Sequence, residues 1–212
     1  MALFQKKPQV SSSAPLYTLG LNKSVLIVGL GNPAKDYDGT RHNIGFAAVD
    51  NFVKQHDLPG WVVKKDLKCL HTSGLIGDKR LIVIKPTTYM NLSGAAVEAT
   101  AHFYKLTNAD ILVVHDELDI PFGQIRSRVG GSDAGHNGVK SIIERLGEDF
   151  GRIRIGIGNA HQHEGDSADF VLSRFNADEQ TQMTNLLKEV NVLITECVAG
   201  DSLPADTRSF IL

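Results

Sequence analysis

The chain is expected to fold as a single α/β domain: a mixed, twisted sheet flanked by helices on both faces. Three observations predict this. Short β-branched runs recur along the chain, helical hydrophobic patterns lie between them, and neither a repeat nor a linker follows residue 24. The 212 residues are enough for one sizeable core. Hydrophobic content of 42% and charged content of 22% are ordinary for a globular protein. No apolar run approaches the ~20 residues that a membrane span needs.

Val25-Leu26-Ile27-Val28 is a short apolar run stopped by Gly29 and reads as the first buried strand. Phe46, Val49, Phe52 and Val53 then recur at helical spacing. Residues 70–76 and 81–84 flank Gly77-Asp78, a hairpin signal that makes part of the sheet antiparallel. A helix carrying Val97, Ala101 and Tyr104 leads to a strand at 111–114. Residues 124–129 alternate polar and apolar, as a strand with one solvated face does. Val139, Ile142, Ile143 and Leu146 form a helical stripe that Gly147 is placed to end. After a strand at 153–157, Asn176 and Glu179 have capping-box spacing ahead of the stripe Leu186, Leu187, Val190, Leu193 and Ile194.

Residues 1–23 are set apart. Lys6, Lys7, Pro8, Ser11-Ser12-Ser13 and Pro15 make them a flexible polar tail, with residues 24–212 as the folded domain. The tail lacks the apolar segment of a secretory signal, and the first arginine of the chain is Arg41, unlike an arginine-rich transit peptide. The formal charge of −2 gives no global basic signature, so a nucleic-acid partner would need a local patch. Cys69 and Cys197 have no neighbours at metal-ligand spacing, which points to a reducing cytoplasm and no disulfide framework.

Several segments carry chemistry. Gly29-Leu30-Gly31-Asn32-Pro33-Ala34 follows a strand and superficially matches a dinucleotide fingerprint, but Asn32-Pro33 favours a turn over a helix start. In Tyr37-Asp38-Gly39-Thr40-Arg41-His42-Asn43, a histidine stands at a loop-to-helix boundary, where it can be a general base or a cap. Tyr89-Met90-Asn91 offers a carboxamide just beyond a strand end. His115-Asp116-Glu117 delivers carboxylates at the end of another strand, where Asp116 can orient a catalytic histidine or merely cap a turn. Gly130 to Gly138 is a glycine-rich loop opening a helix, a natural anion contact. Arg126 and Arg128, with Arg152 and Arg154, repeat an i,i+2 spacing that can gather a basic patch on one sheet face.

Together these segments resemble a known family. Val28-Gly29-Leu30-Gly31-Asn32-Pro33, Thr40-Arg41-His42-Asn43, Tyr89-Met90-Asn91-Leu92-Ser93-Gly94, His115-Asp116-Glu117-Leu118-Asp119, Gly135-His136-Asn137-Gly138 and Arg152-Ile153-Arg154-Ile155-Gly156-Ile157-Gly158 are similar, in order, to the signatures of bacterial-type peptidyl-tRNA hydrolases. The resemblance implies hydrolysis of the ester between the peptide and the 3'-terminal ribose of peptidyl-tRNA, in ribosome rescue, by a cytoplasmic monomer with no metal, no cofactor and no membrane partner. It implies His42 as general base, Asp116 as its orienting carboxylate, and Asn32 beside them. Tyr37, Met90, Asn91, His136 and Asn137 would bind the nascent peptide and the acceptor end, with Arg128 and Arg154 on tRNA phosphate.

One departure stands out. The family's lysine-bearing loop after Gly158 is replaced by Asn159-Ala160-His161-Gln162-His163-Glu164-Gly165-Asp166, with no lysine or arginine. His161 and His163 lack a clear third ligand for a metal. Two rival readings remain: an RNA-binding module, as in chloroplast intron-splicing factors that resemble this family, and a nucleotide-dependent oxidoreductase built on Gly29 and Gly31.

Overall fold

The computed structural model describes residues 23–159, 166–200 and 207–209. The polar tail to residue 22 and the histidine pair His161 and His163 lie outside them.

Eight strands form one sheet in the order β2-β3-β4-β1-β5-β7-β6-β8. They are β1 (Ser24–Gly29), β2 (Val62–Lys64), β3 (Cys69–Ile76), β4 (Lys79–Pro86), β5 (Ile111–Pro121), β6 (Gln124–Val129), β7 (Gly151–Gly158) and β8 (Thr207–Ser209). The four central strands β4, β1, β5 and β7 run parallel. Antiparallel partners extend the sheet on both sides. The hairpin read at Gly77-Asp78 is present, with Ile76 opposite Lys79 across the turn.

Helices cover both faces. Among them α1 (Ile44–Gln55) and α5 (Ala177–Gly200) pack on one, against Ile27, Leu81, Val83, Leu112 and Val114. On the other, α2 (Ser93–Tyr104) and α3 (Asn137–Leu146) cover Leu26, Val28, Ile82, Ile84 and Val113. Consecutive residues of a buried strand face opposite ways, so a strand between two helical layers must be apolar throughout. That is why the short continuous apolar runs of β1, β4 and β5 were legible as strands. Gly147 ends α3 at φ +79°, as its position predicted. The short helix α4 (Ser167–Leu172) had no sequence signal.

Strands β4, β1 and β5 run parallel toward one edge of the sheet, with β4 and β5 on opposite sides of β1. Asn32, Met90 and Asp116 all come from that edge.

Candidate active site

His42 owes its position to its two neighbours. It lies in a 3-10 turn, Arg41–Asn43, that runs directly into α1. Arg41 is 3% exposed and donates to both carboxylate oxygens of Glu179, at 2.6 and 3.0 Å, and to the Ile157 carbonyl at 3.2 Å. Its guanidinium also faces the Phe170 and Phe175 rings at 4.6 and 4.8 Å. Glu179 has a second task. Its carboxylate accepts from the Asn176 amide at 2.8 Å while Asn176 Oδ1 accepts from the Glu179 amide at 2.9 Å, the capping box read in the sequence. The start of α5, the end of β7 and the turn carrying His42 are thereby tied at one carboxylate.

Removing that carboxylate leaves Arg41 as an unpaired buried charge. Glu179→Ala is expected to cost ~3–5 kcal/mol of stability, lowering Tm by on the order of 10 °C, as calorimetry would register.

Asn43, on the other side, holds the loop after β1. Its Oδ1 accepts from the Asn32 amide at 2.8 Å, and its Nδ2 donates to the Asn32 carbonyl at 3.0 Å. The Met90 amide donates to Asn32 Oδ1 at 2.8 Å. With that oxygen occupied, the Asn32 side chain presents its Nδ2 donor to the cleft. The sequence reading did not give Asn43 a role, although it stands within the motif that carries His42.

Asp116, 2% exposed and lying within β5 just before its pairing with β7 shifts register, receives two imidazoles. His42 Nδ1 lies 3.0 Å from its Oδ2 and 3.1 Å from its Oδ1. His136 Nε2 lies 3.0 Å from Oδ1. A carboxylate only accepts, so the His42 proton sits on Nδ1 and the Nε2 lone pair is left for the cleft. Burial alone would push the Asp116 carboxyl up, but His136 and His42 more than reverse this and hold it well below the usual carboxylate range. For His42, burial lowers the pKa, yet the charge and hydrogen bond of Asp116 outweigh it, so the net shift is upward. The Asp116 carboxylate thus faces two imidazole rings.

A cleft of about 480 Å³ opens above these groups. Asn32, Tyr37, His42 and Met90 line it. So do Asn91, Asp116, His136 and Asn137, so eight of the ten site residues expected from sequence converge. The sequence missed Tyr89, whose ring meets that of Tyr37 edge-on at 6.5 Å, and the wall formed by Val171 and Leu172 of α4.

Arg128 and Arg154 are not in the cleft lining. They belong to a face where Arg126 stands opposite Arg154 and Arg128 opposite Arg152 across β6 and β7. The local basic patch therefore exists, but Arg152 is structural: it is buried, donates to the Ser132 and Gly131 carbonyls, and faces the Phe150 ring at 4.7 Å.

One anion-site reading needs correction, and the dinucleotide reading already disfavoured by Asn32-Pro33 gains no support. The start of α3 is closed by its own side chain, because His136 Nδ1 accepts from the Gly138 and Val139 amides at 3.1 and 3.3 Å. Those amides are not open to a phosphate. The glycines after β1 serve packing: a Cβ on Gly29 would meet the Gly45 carbonyl at 2.5 Å, and one on Gly31 the Phe46 ring at 2.6 Å. The Leu30 amide is also bound to the Val114 carbonyl at 3.0 Å, leaving no pyrophosphate cradle.

Ligand atoms of His42, Asp116 and His136 lie within 4.8 Å of one another, a spacing that can suit a metal. The proton inventory does not. His136 Nδ1 accepts two amides, so its proton is on Nε2, the atom facing Asp116, and a protonated nitrogen cannot ligate. The set is wired for hydrogen bonding.

Comparison with known proteins gives the family. The family model described as Peptidyl-tRNA hydrolase matches residues 26–210. A peptidyl-tRNA hydrolase of Clostridium botulinum is 40% identical over 177 residues, covering 83% of this chain and 90% of that protein. One from Levilactobacillus brevis is 42% identical, covering 82% and 93%. The crystal structure of the Acinetobacter baumannii peptidyl-tRNA hydrolase superposes with a TM-score of 0.77 at 35% identity, covering 83% of this chain and 89% of that one.

Proposed function

The chain belongs to the peptidyl-tRNA hydrolase family, and from that premise we propose how its residues divide the work of the reaction. The activity is hydrolysis of the ester joining a peptide to the 3'-terminal ribose of tRNA, releasing free tRNA and free peptide. The observation that carries the assignment of roles is the His42–Asp116 pair on the cleft wall beside the Asn32 amide.

Neutral His42 takes a proton from water through Nε2 as the water oxygen attacks the ester carbonyl carbon. Asp116 holds the ring in the correct tautomer and stabilises the imidazolium that forms. Asn32 Nδ2 donates to the carbonyl oxygen as it gains negative charge. When the tetrahedral intermediate collapses, the ribose oxygen leaves and takes the proton from His42. Asn91 and Asn137 bind the peptide backbone through amides that both donate and accept, indifferent to side chains. Met90 and Tyr37 supply apolar contact, and Arg128 and Arg154 hold tRNA phosphate outside the cleft. All these groups belong to residues 24–212, which form the catalytic domain of what the family resemblance makes a monomer. Cys69 and Cys197 are free, in keeping with a cytoplasmic setting. None of the helices among the described residues is long and apolar enough to cross a membrane.

The test is release of N-acetylamino acid from N-acetyl-aminoacyl-tRNA in EDTA-treated buffer, with the unacetylated ester as control. Rapid release of the acylated form alone supports the proposal. Binding of tRNA without release would favour the RNA-binding reading.

The upward shift of His42 fixes the sign of the pH dependence. The protonated ring is inactive as a base and is the form Asp116 stabilises. kcat/KM is therefore expected to climb with pH through an apparent pKa above the 6.5 of an ordinary histidine. A profile already flat at pH 6 would contradict it.

A further inference from the structure

We propose that His136 is a positioning residue that acts through Asp116, limiting how strongly that carboxylate raises the basicity of His42. The inference rests on the mechanism above and specifies one of its parts.

His136 stands between the start of α3 and the buried carboxylate. The Gly138 and Val139 amides donate to its Nδ1, and its Nε2–H then donates to Asp116 Oδ1 at 3.0 Å. Backbone amides can only donate, so this direction is fixed by the chain itself and not by pH-dependent choice. A proton added at Nδ1 would have to displace both amides, so the ring's proton stays on Nε2, toward Asp116. The partly positive start of α3 is in this way relayed onto Asp116.

The carboxylate therefore divides its hydrogen-bonding capacity between two rings. His42 shares Oδ1 with His136 and has Oδ2 to itself. An acceptor already engaged by a second donor stabilises the His42 imidazolium less than one facing His42 alone. Without His136, Asp116 would raise His42 further, and more of the enzyme would be protonated and idle at neutral pH.

Other charged or titratable groups around the pair do not supply the same control. His115, on β5, donates from Nδ1 to the Asp116 carbonyl at 2.6 Å, and burial and the nearby His136 push its pKa down to about 3, so it stays neutral. Glu117, also on β5, is balanced in part by Arg154 of β7. Arg152 of β7 is committed to the loop preceding His136. Neither His115 nor an arginine hydrogen-bonds the Asp116 carboxylate.

Two substitutions separate this role from simple support. Asparagine at 136 can still cap α3 but is too short to reach Asp116, whereas glutamine places an amide donor where Nε2 stands. In His136→Asn the His42 pKa, read by NMR of ¹⁵N-labelled histidine and by the acidic limb of kcat/KM, should move up by about one pH unit. His136→Gln should return it close to the wild-type value. The same spectra of the wild type should show His136 protonated at Nε2 and His42 at Nδ1. An unchanged or lower His42 pKa in folded His136→Asn, or His136 protonated at Nδ1, overturns the inference. Because the NMR titration needs no substrate, it stands apart from the hydrolysis assay: absence of ester cleavage in the wild type would sink the mechanism and leave this measurement intact.

Discussion

His42→Ala is expected to lower kcat for N-acetyl-aminoacyl-tRNA by ~10²–10⁴-fold, the contribution of a well-placed general base. KM should change little, because the groups assigned to the peptide and the acceptor end stay in place. The two results together are informative. Loss confined to kcat means the ring acts on the reacting atoms, whereas a rise in KM alone would make it a binding group. The acidic limb of the pH profile should vanish with the ring, since the group that titrates there is gone. The substitution does leave Asp116 with one donor in place of two, so thermal unfolding belongs beside the kinetics. A variant that stays folded and keeps a tenth of wild-type kcat would remove His42 from the catalytic role.

The difference between what was legible in the sequence and what was not has a physical basis. Strands β1, β4 and β5 announced themselves because burial on both faces demands an unbroken apolar run. The capping box at Asn176 and Glu179 was visible because both its hydrogen bonds span three residues. The partnership of Glu179 with Arg41 was not, since 138 residues separate them and no local period encodes a pairing made by the fold. For the same reason His136 was read as a substrate contact at the mouth of an anion-binding loop. Only the folded chain shows its ring turned inward, capping its own helix and bonding a carboxylate from β5. Strands β2 and β8 escaped because three residues are too few to express alternation. The eight residues drawn from motif order line one cleft; what motif order could not supply was the direction of each hydrogen bond, on which the proposed chemistry depends.

Those directions make Asp116→Asn the sharper test. An asparagine is nearly isosteric with aspartate, so packing at this buried position should survive. It offers one acceptor oxygen and one donor nitrogen, however, where the carboxylate offered acceptors to both rings. His136 cannot adapt, because the Gly138 and Val139 amides hold its Nδ1 as an acceptor and so keep the proton on Nε2. The new carbonyl oxygen must therefore face His136, and the new amide nitrogen must face His42 Nδ1. That nitrogen donates, which drives the His42 proton to Nε2 and buries the lone pair away from the cleft. The ring is present, neutral and oriented, yet carries its proton on the side where it should receive one. The expected loss in kcat is on the order of 10³–10⁴-fold, comparable to deleting His42 although no catalytic atom has been removed. The His42 pKa should also fall below its ordinary value, since the burial that lowers it remains while the charge that raises it is gone. ¹⁵N spectra of Asp116→Asn should show His42 protonated at Nε2. If His42 keeps its proton on Nδ1 and the rate falls less than tenfold, the tautomer argument fails, and Asp116 must matter for something other than the direction of that hydrogen bond.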